Sequence, residues 1–166
     1  MTLAEAAAQA DALAEEGKER EVADLRREWE DEVEAAARSA DYRERAVAYR
    51  AVGQFRFRQK IELLGRGLDD ESPACRGSAL ISLERLSRDA PGAVNSLRSE
   101  LHRLATADDN QAVRRLAIVT LRNGSAHRDT IVLLEGLGED DRLERDLRET
   151  ATKVAAGLKK KGRQAG

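Results

Sequence analysis

The stretch Asp108–Leu121, Asp-Asp-Asn-Gln-Ala-Val-Arg-Arg-Leu-Ala-Ile-Val-Thr-Leu, decides the fold. Its first three residues form a polar turn, and their side-chain oxygens can accept hydrogen bonds from the free N–H groups at a helix start. Arg114, Ala117 and Leu121 then follow at steps of three and four residues. This spacing places the three residues on one face of a helix. The stretch therefore predicts a turn and a helix with a small residue in the middle of its apolar face.

The same pattern, Arg-x-x-Ala-x-x-x-apolar, occurs four times, and its arginines are 31, 38 and 34 residues apart. A period of this length is typical of proteins built from repeated helix pairs. One such pair cannot bury its own apolar face, but several stacked pairs can. The four copies are Arg45/Ala48/Val52, Arg76/Ala79/Leu83, Arg114/Ala117/Leu121 and Arg148/Ala151/Ala155.

The composition agrees with an all-helical fold. The 166 residues are rich in the helix formers Ala, Leu, Arg and Glu, and only 3% are aromatic. The scarcity of β-branched and aromatic stretches argues against a β-sandwich, a β-barrel and a doubly wound α/β fold. Outside the repeats, Thr2 is predicted to cap a first helix that ends at Gly17, and a second helix runs from about Lys18 to Arg38. Further boundaries are predicted at Ser72-Pro73, Asp89–Gly92 and Asn123-Gly124, with Ser125 as a later N-cap.

Several apolar residues are assigned by helical spacing. Trp29 lies on a stripe with Val22, Leu25 and Val33 and is predicted to be in the core, with a partner anchor as the alternative. A fourth helix is predicted to carry both Phe55 and Phe57. Residues two apart point to different sides of a helix, so we do not expect both rings in one core; one of them is expected to be exposed or to dock on the N-terminal hairpin.

The stretch Asp108–Leu121 resembles the turn and second helix of a HEAT-like repeat, and Asp70–Leu83 resembles it with Cys75 in the valine position. The other two copies depart from the pattern, because Arg148 comes late after Asp141 and Ser39 replaces the turn acid before Arg45. The resemblance implies an all-α solenoid of about four helical pairs with an N-terminal capping helix. It also implies a scaffold or binding role. The predicted domain covers residues 1–158, with an acidic hairpin at 1–40 and repeats at 41–158, and residues 159–166 form a basic flexible tail.

The charge is unevenly distributed. Residues 1–40 carry 12 acids and 5 bases, and residues 41–166 carry 19 acids and 24 bases. Two interpretations of the arginines on the second helices stay open: they are solvated or paired with turn residues, or they form a basic concave face for an acidic partner. A protein partner ranks before nucleic acid, because the pI of about 5.8 is low for a nucleic-acid-binding domain. The candidate partner-binding residues are Arg45, Arg76, Arg85, Arg114, Arg115, Arg122, Arg145 and Arg148.

The acidic hairpin also has two possible roles. Its apolar stripe of Leu3, Ala6, Ala10 and Leu13 favours a packed helix that covers the end of the repeats. The alternative is a mobile arm that masks the basic face until a partner displaces it, which requires direct contact because salt screens charges beyond about 8–10 Å.

No motif predicts catalysis, and we expect neither a metal nor a cofactor. The two histidines are not at metal-ligand spacing, and no glycine-rich phosphate loop is present. Cys75 is the single cysteine, and we expect a buried structural thiol in a cytoplasmic protein. No apolar run approaches the ~18–20 residues that a membrane span needs, and the acidic N-terminus does not read as a signal peptide. The sequence therefore predicts a non-enzymatic interaction module, an adaptor or a structural subunit.

Overall fold

A computed structural model describes residues 1–165, and these residues form ten α-helices and no strand. The contacts divide the chain into two compact units, Met1–Leu86 and Ser87–Gly166. No helix in the described range has both the length and the hydropathy that a bilayer span requires. The first unit contains α1 (Leu3–Glu15), α2 (Glu19–Ala37), α3 (Tyr42–Gln54), α4 (Ile61–Leu68) and all but the last residue of α5 (Pro73–Ser87). The second contains α6 (Pro91–Ser96), α7 (Arg98–Ala107), α8 (Gln111–Leu121), α9 (Arg128–Glu139) and α10 (Arg145–Ala165).

Local capping chemistry explains where the helices begin. The Glu5 N–H donates to Thr2 Oγ1 at 3.1 Å, and the Thr2 N–H donates to Glu5 Oε2 at 2.8 Å, so both free donors at the start of α1 are satisfied. Gly17 has a φ of 76° just after α1 ends, a conformation that glycine adopts without strain. Asn110 accepts from the Val113 N–H and caps α8. The predicted starts of α1, α5 and α8 are confirmed.

The repeated pattern occupies the same helix positions in all four copies. Its arginine is the fourth residue of α3, of α5, of α8 and of α10. The alanine three positions later is fully buried in every copy, and the residue seven positions later is at most 2% exposed. A small residue at this place lets a neighbouring helix approach closely, and the residue one turn later fills the core. The buried pairs are Ala48 and Val52, Ala79 and Leu83, Ala117 and Leu121, and Ala151 and Ala155.

The repeat helices run parallel inside each unit. In the first unit, Cys75 Sγ donates to the Tyr42 carbonyl at 3.2 Å, and Ser82 Oγ donates to the Tyr49 carbonyl at 2.5 Å. In each pair the two residues are 33 positions apart in the sequence. Because this separation is the same at both contacts, α3 and α5 run in the same direction. Gly53 lies at the same contact, where an added Cβ would come within 2.8 Å of Ser82 Cα. Glycine at this position therefore permits the close approach of the two helices.

The α8 and α10 helices of the second unit are arranged in the same way. Arg115, near the start of α8, lies 3.1 Å from Asp146 in the first turn of α10. At the other end, Lys161 Nζ donates to the carbonyls of Arg122 and Gly124, both at 2.7 Å. The start of α8 thus lies beside the start of α10, and the end of α8 lies beside the later part of α10, so these two helices are also parallel.

The acidic hairpin packs against the rest of the first unit. Helix α1 contacts α2 and α3, and Ala6, Ala7 and Ala10 are completely buried. This is the packed arrangement of the two that the sequence left open. Arg56 binds the hairpin, since its Nη1 lies 2.7 Å from Asp11 Oδ1 and its Nη2 lies 3.1 Å from Glu15 Oε1.

A second basic side chain, Lys60, binds α2. Its Nζ lies 2.7 Å from Glu34 and 3.1 Å from Glu30. The hydrogen bond from Lys60 lowers the pKa of Glu34 despite partial burial of that carboxyl. The opposite charges of hairpin and repeats therefore meet in specific ion pairs.

The expectation for the two phenylalanines was wrong. Helix α3 ends at Gln54, and Arg56 has a φ of 59°, so the chain turns sharply between the rings. Phe55 and Phe57 are both fully buried, with ring centroids 5.5 Å apart. The rule that excluded this arrangement applies inside a helix, and these residues lie outside one. Trp29 is buried, as predicted.

The second unit departs from the predicted boundaries in three places. Leu97 separates α6 from α7, where the sequence predicted one helix. His127 caps α9 in place of Ser125, because its Nδ1 accepts from the Asp129 N–H at 3.2 Å. The predicted basic tail from residue 159 continues α10 as helix through Ala165, held by Lys161 and by an ion pair between Lys159 and Glu135. Gly166, the last residue of that tail, lies outside the described residues.

We predict that Ala117→Phe destabilises the protein by about 1–3 kcal/mol, because the larger ring overfills a fully buried position. Ala112→Phe is the matched control, since Ala112 is exposed on the same helix. Urea unfolding followed by circular dichroism measures both variants. Equal stability of Ala117→Phe and the parent would contradict the packing described for α8.

We predict that deletion of residues 1–17 lowers the Tm by at least about 5 °C and promotes self-association, because it uncovers apolar surface on α2 and α3. Calorimetry and light scattering measure the two effects. In the intact chain, the amides of α1 should be protected in hydrogen exchange. A truncated protein with the parental Tm would show that α1 is not part of the core.

Candidate binding surface

Arg45 forms the most enclosed ion pair of the first unit. Its Nε and Nη2 donate to the two carboxylate oxygens of Asp70 at 2.9 and 3.0 Å, and its Nη1 donates to the carbonyls of Ser39 and Ala40. Burial, the largest single influence, raises the pKa of Asp70, but the hydrogen bonds from Arg45 and from the Ser72 N–H, together with the charge of Arg45, outweigh burial and hold that pKa below its ordinary value. Arg45 therefore ties the turn before α3 to the turn before α5.

Arg76 repeats this contact one copy later. Its Nη1 donates to the carbonyls of Asp70 and Glu71 at 2.9 and 3.2 Å. These acceptors lie six and five residues before the arginine, as Ser39 and Ala40 do for Arg45. In both copies the arginine satisfies carbonyl groups of its own turn.

Two more of the predicted partner-binding arginines have contacts inside the fold. Arg114 is only 8% exposed, and its Nε donates to the Ala105 carbonyl at 3.0 Å. Arg85 is partly buried and lies 3.6 Å from Glu15. Both contacts join the arginine to another helix, since Ala105 lies in α7 and Glu15 in α1.

The other four candidates lie in the second unit, and three of them are exposed. Arg115 is about half exposed and pairs with Asp146, and Arg145 is 84% exposed and pairs with Glu149 at 2.7 Å. Arg122 ends α8 at the surface. Arg148 is half-buried, and its Nε is buried without a hydrogen-bond partner anywhere in residues 1–165.

Arg148 lines a cavity of about 330 Å³ between the end of α9 and the first half of α10, the basic cavity. The hydrogen bond from Arg145 lowers the pKa of Glu149, and the charges of Lys153 and Arg148 lower it further, so three cations surround one carboxylate. A neighbouring cavity of about 230 Å³ shares Gly138 and Thr152 with it. The basic cavity is lined by Gly138, Arg145, Arg148, Glu149, Thr152 and Lys153.

Sequence reasoning identified Arg145 and Arg148 but missed Lys153, Thr152 and Gly138. The signal was present in part, because positions 145, 149 and 153 are each four residues apart, and so are 148 and 152. Such residues form two adjacent ridges on one helix surface. Gly138 comes from another helix, and no periodicity within α10 reveals it.

The first unit has an apolar groove of about 520 Å³ between the start of α1, the end of α2 and the start of α3. Ala and Leu side chains dominate it, and the charges at its edge have both signs. Its chemistry therefore differs from that of the basic cavity. The lining residues are Thr2, Leu3, Ala4, Glu32, Ala35, Ala36, Arg43, Glu44 and Val47.

The remaining reactive side chains are held in structural contacts. Burial raises the pKa of the Cys75 thiol and lowers that of His102. His102 Nε2 shares a hydrogen bond of 2.8 Å with Thr130 Oγ1. No three His, Cys, Asp or Glu side chains converge as metal ligands within the described part of the chain. No protein-family model matches the sequence, and a search of curated proteins found no match.

We predict that Asp70→Ala destabilises the protein by about 1–3 kcal/mol at neutral pH, because Arg45 loses its carboxylate partner in an enclosed site. Asp24→Ala, which removes the partner of the exposed Arg27 inside α2, is the matched control and should cost less.

The pH dependence of the same pair has a defined sign. The folded-state pKa of Asp70 is lowered, so its stabilising contribution is complete above the unfolded-state pKa and disappears as the pH falls through the folded-state value. The Tm difference between the parent and Asp70→Ala should therefore shrink in acid below about pH 4. A difference that does not change with pH would contradict the ion pair.

Proposed function

We propose that this chain is a non-enzymatic, HEAT-like helical-repeat module that binds an acidic protein segment through exposed basic side chains of α8 and α10. The observation that carries the proposal is the exposure of three of the five candidate arginines in the second unit, where Arg114 is buried and Arg148 is half-buried. In the first unit, Arg45, Arg76 and Arg85 make contacts within the fold. In the second, Arg115, Arg122 and Arg145 are exposed at the surface.

The HEAT-like part of the proposal is supported by the register of the repeat. Each arginine is the fourth residue of its helix, and each following alanine is buried. Parallel α3 and α5, and parallel α8 and α10, are what stacked helix pairs produce. The single cysteine, buried and unpaired, fits a module of the reducing cytoplasm.

The charge balance supports an acidic partner. Residues 1–86 carry 19 acids and 14 bases, whereas residues 87–166 carry 12 acids and 15 bases. The contact between Arg115 and Asp146 places Arg115 beside the first turn of α10, close to Arg145. Arg122 lies at the other end of α8, where Lys161 meets its carbonyl. Basic groups thus occur at both ends of the α8 and α10 pair, where complementary charge would speed association and fix register.

A protein segment fits this surface better than a nucleic-acid backbone. Asp146 and Glu149 lie between the basic residues and pair with them. A continuous row of phosphates would meet these carboxylates, and like charges repel. An acidic peptide can place neutral or basic residues opposite them.

We predict that Arg115→Glu combined with Arg122→Glu abolishes partner binding while leaving helicity unchanged. Arg20→Glu with Arg27→Glu is the matched control, because both residues are exposed on α2 and the charge change is the same. The measurement is affinity capture from cell extract with mass spectrometry, using parent, variant and control side by side. Proteins retained by the parent and the control but lost by the variant are the expected result, and identical retention by all three would overturn the proposal.

A salt series separates the two classes of partner. Fluorescence polarisation with duplex DNA should show weak binding to the parent. DNA binding whose affinity falls by about 0.9 log units per log unit of salt for each phosphate contact would replace the protein-binding proposal with backbone binding.

A further inference from the structure

The acids of the hairpin fall into two groups. Four of them pair with Arg56 or Lys60 and hold the hairpin against the rest of the first unit. Others, in the second half of α2, are exposed and form no ion pair within residues 1–165. Because the carboxylates of this second group are not used inside the fold, they are available to an external cation. They are Glu28, Asp31 and Glu32.

One of these carboxylates, Glu32, lies at the edge of the apolar groove between α1, α2 and α3. A second carboxylate at the edge, Glu44, accepts a hydrogen bond from the Ser39 hydroxyl but forms no ion pair in the described chain. Arg43, the one cation among the described residues of the lining, donates to both carboxylate oxygens of Asp41, at 3.2 and 3.3 Å. The edge of the groove therefore carries two negative charges without a counterion.

Apart from this edge, the lining of the groove is small and apolar. Leu3 and Val47 are half-buried, and Ala4 and Ala35 are exposed. The groove is preformed, because all three of its helices enter the packed core within a turn of it. Its volume of about 520 Å³ is in the range of sites that enclose a ligand, roughly 300–1,000 Å³. The buried residues beside it are Ala7, Ala37 and Ala48.

An occupant of this groove must supply apolar side chains and positive charge together. An amphipathic helix with leucine side chains on one face and lysine or arginine side chains beside them supplies both, and such helices bind apolar grooves through anchors one turn apart. Nucleic acids, phosphorylated segments and anionic membranes would bring negative charge to Glu32 and Glu44, and like charges repel.

A second copy of this chain fits the groove poorly. Four large apolar side chains are exposed among the described residues, and three of them lie in the acidic first unit. The basic second unit offers only one, which is fewer than the several anchors that a helix in a groove uses. The four are Met1, Tyr42, Ile81 and Val132.

We propose that the apolar groove binds an amphipathic helical segment of a protein partner, whose apolar side chains fill the groove and whose lysine or arginine side chains pair with Glu32 and Glu44. This surface goes beyond the proposed function, because it lies in the other unit and takes a segment of opposite charge. A chain with two such surfaces holds two different partners, as an adaptor does.

The test uses a synthetic peptide of about 18 residues, long enough to form a helix, with leucine on one face and lysine on the other. It is titrated into the isotope-labelled full chain and observed by NMR. We expect saturable shifts of the backbone amides confined to residues 2–4, 32–36 and 43–47. Shifts spread over the whole chain, or shifts that never saturate, would overturn the proposal.

Two matched peptides separate the apolar contribution from the charge. One keeps the leucines and replaces lysine with glutamate, and the other keeps the lysines and replaces leucine with glutamine. Each should bind at least about tenfold more weakly than the leucine–lysine peptide. Equal binding of the glutamate peptide would show that the acidic edge does not select its ligand. Equal binding of the glutamine peptide would show charge attraction alone. Either result would overturn the proposal.

Ala35→Trp tests the groove without a change of charge, because the ring fills the space at an exposed position. It should weaken binding of the leucine–lysine peptide at least about tenfold. Ala12→Trp is the matched control, because Ala12 is an exposed alanine of α1 that does not line the groove, and its effect should be less than about twofold. Parental affinity of Ala35→Trp, or equal weakening by both variants, would contradict binding in the groove.

Charge reversal tests the edge. Glu32→Lys combined with Glu44→Lys should weaken the leucine–lysine peptide and strengthen the glutamate peptide, each at least about tenfold. Glu19→Lys combined with Glu21→Lys is the matched control, because these exposed acids make the same charge change at the other end of α2. Circular dichroism verifies that each variant is folded. Identical behaviour of the two double variants would overturn the assignment of Glu32 and Glu44.

Two further measurements separate this site from the alternatives. The free chain should show no concentration dependence of the groove amides, and a dependence accompanied by dimerisation would assign the groove to a second copy and overturn the proposal. Arg115→Glu combined with Arg122→Glu should change the affinity for the leucine–lysine peptide by less than about twofold. A larger change would mean general charge attraction and overturn the groove, whereas loss of groove binding alone leaves the proposed function standing.

Discussion

The close approach of repeat helices at a buried alanine is the constraint on which the other features depend. Ala48, Ala79, Ala117 and Ala151 have no exposed surface, and each is fixed relative to the arginine one turn earlier. The arginine then lies in the first turn of its helix, close to the elements that precede it in the chain. A large charged side chain therefore lies near the start of each of the four helices that carry the pattern. Its buried donors need hydrogen-bond acceptors from the fold.

The acceptors differ from copy to copy, although the arginine has the same position in each helix. A carboxylate and turn carbonyls receive Arg45, whereas one helix carbonyl receives Arg114. Such buried contacts hold neighbouring helices in register. A count of the arginines on the second helices therefore overestimates the positive charge of the surface, because several of these side chains form hydrogen bonds or ion pairs within the fold.

The helical secondary structure and most helix starts could be predicted from the sequence, because the spacing of apolar residues and the capping of helices are local properties. Thr2 and Asn110 cap as their residue types indicate. The exceptions depend on tertiary contacts: the left-handed turn at Arg56 buries two neighbouring rings, and Lys161 continues α10 by reaching carbonyls about 40 residues away. The candidate site was predictable only in part, since its arginines follow the repeat but Gly138 joins it from a different helix.

The five residues between α9 and α10 also have an evolutionary consequence. A turn is the cheapest part of a repeat protein to lengthen, because an insertion there leaves both flanking helices intact. The turns before the four copies range from three to five residues in length, while the alanine of every copy stays buried. The turns are therefore the positions at which the length of such a chain can change by one or two residues while the buried faces of its helices are kept.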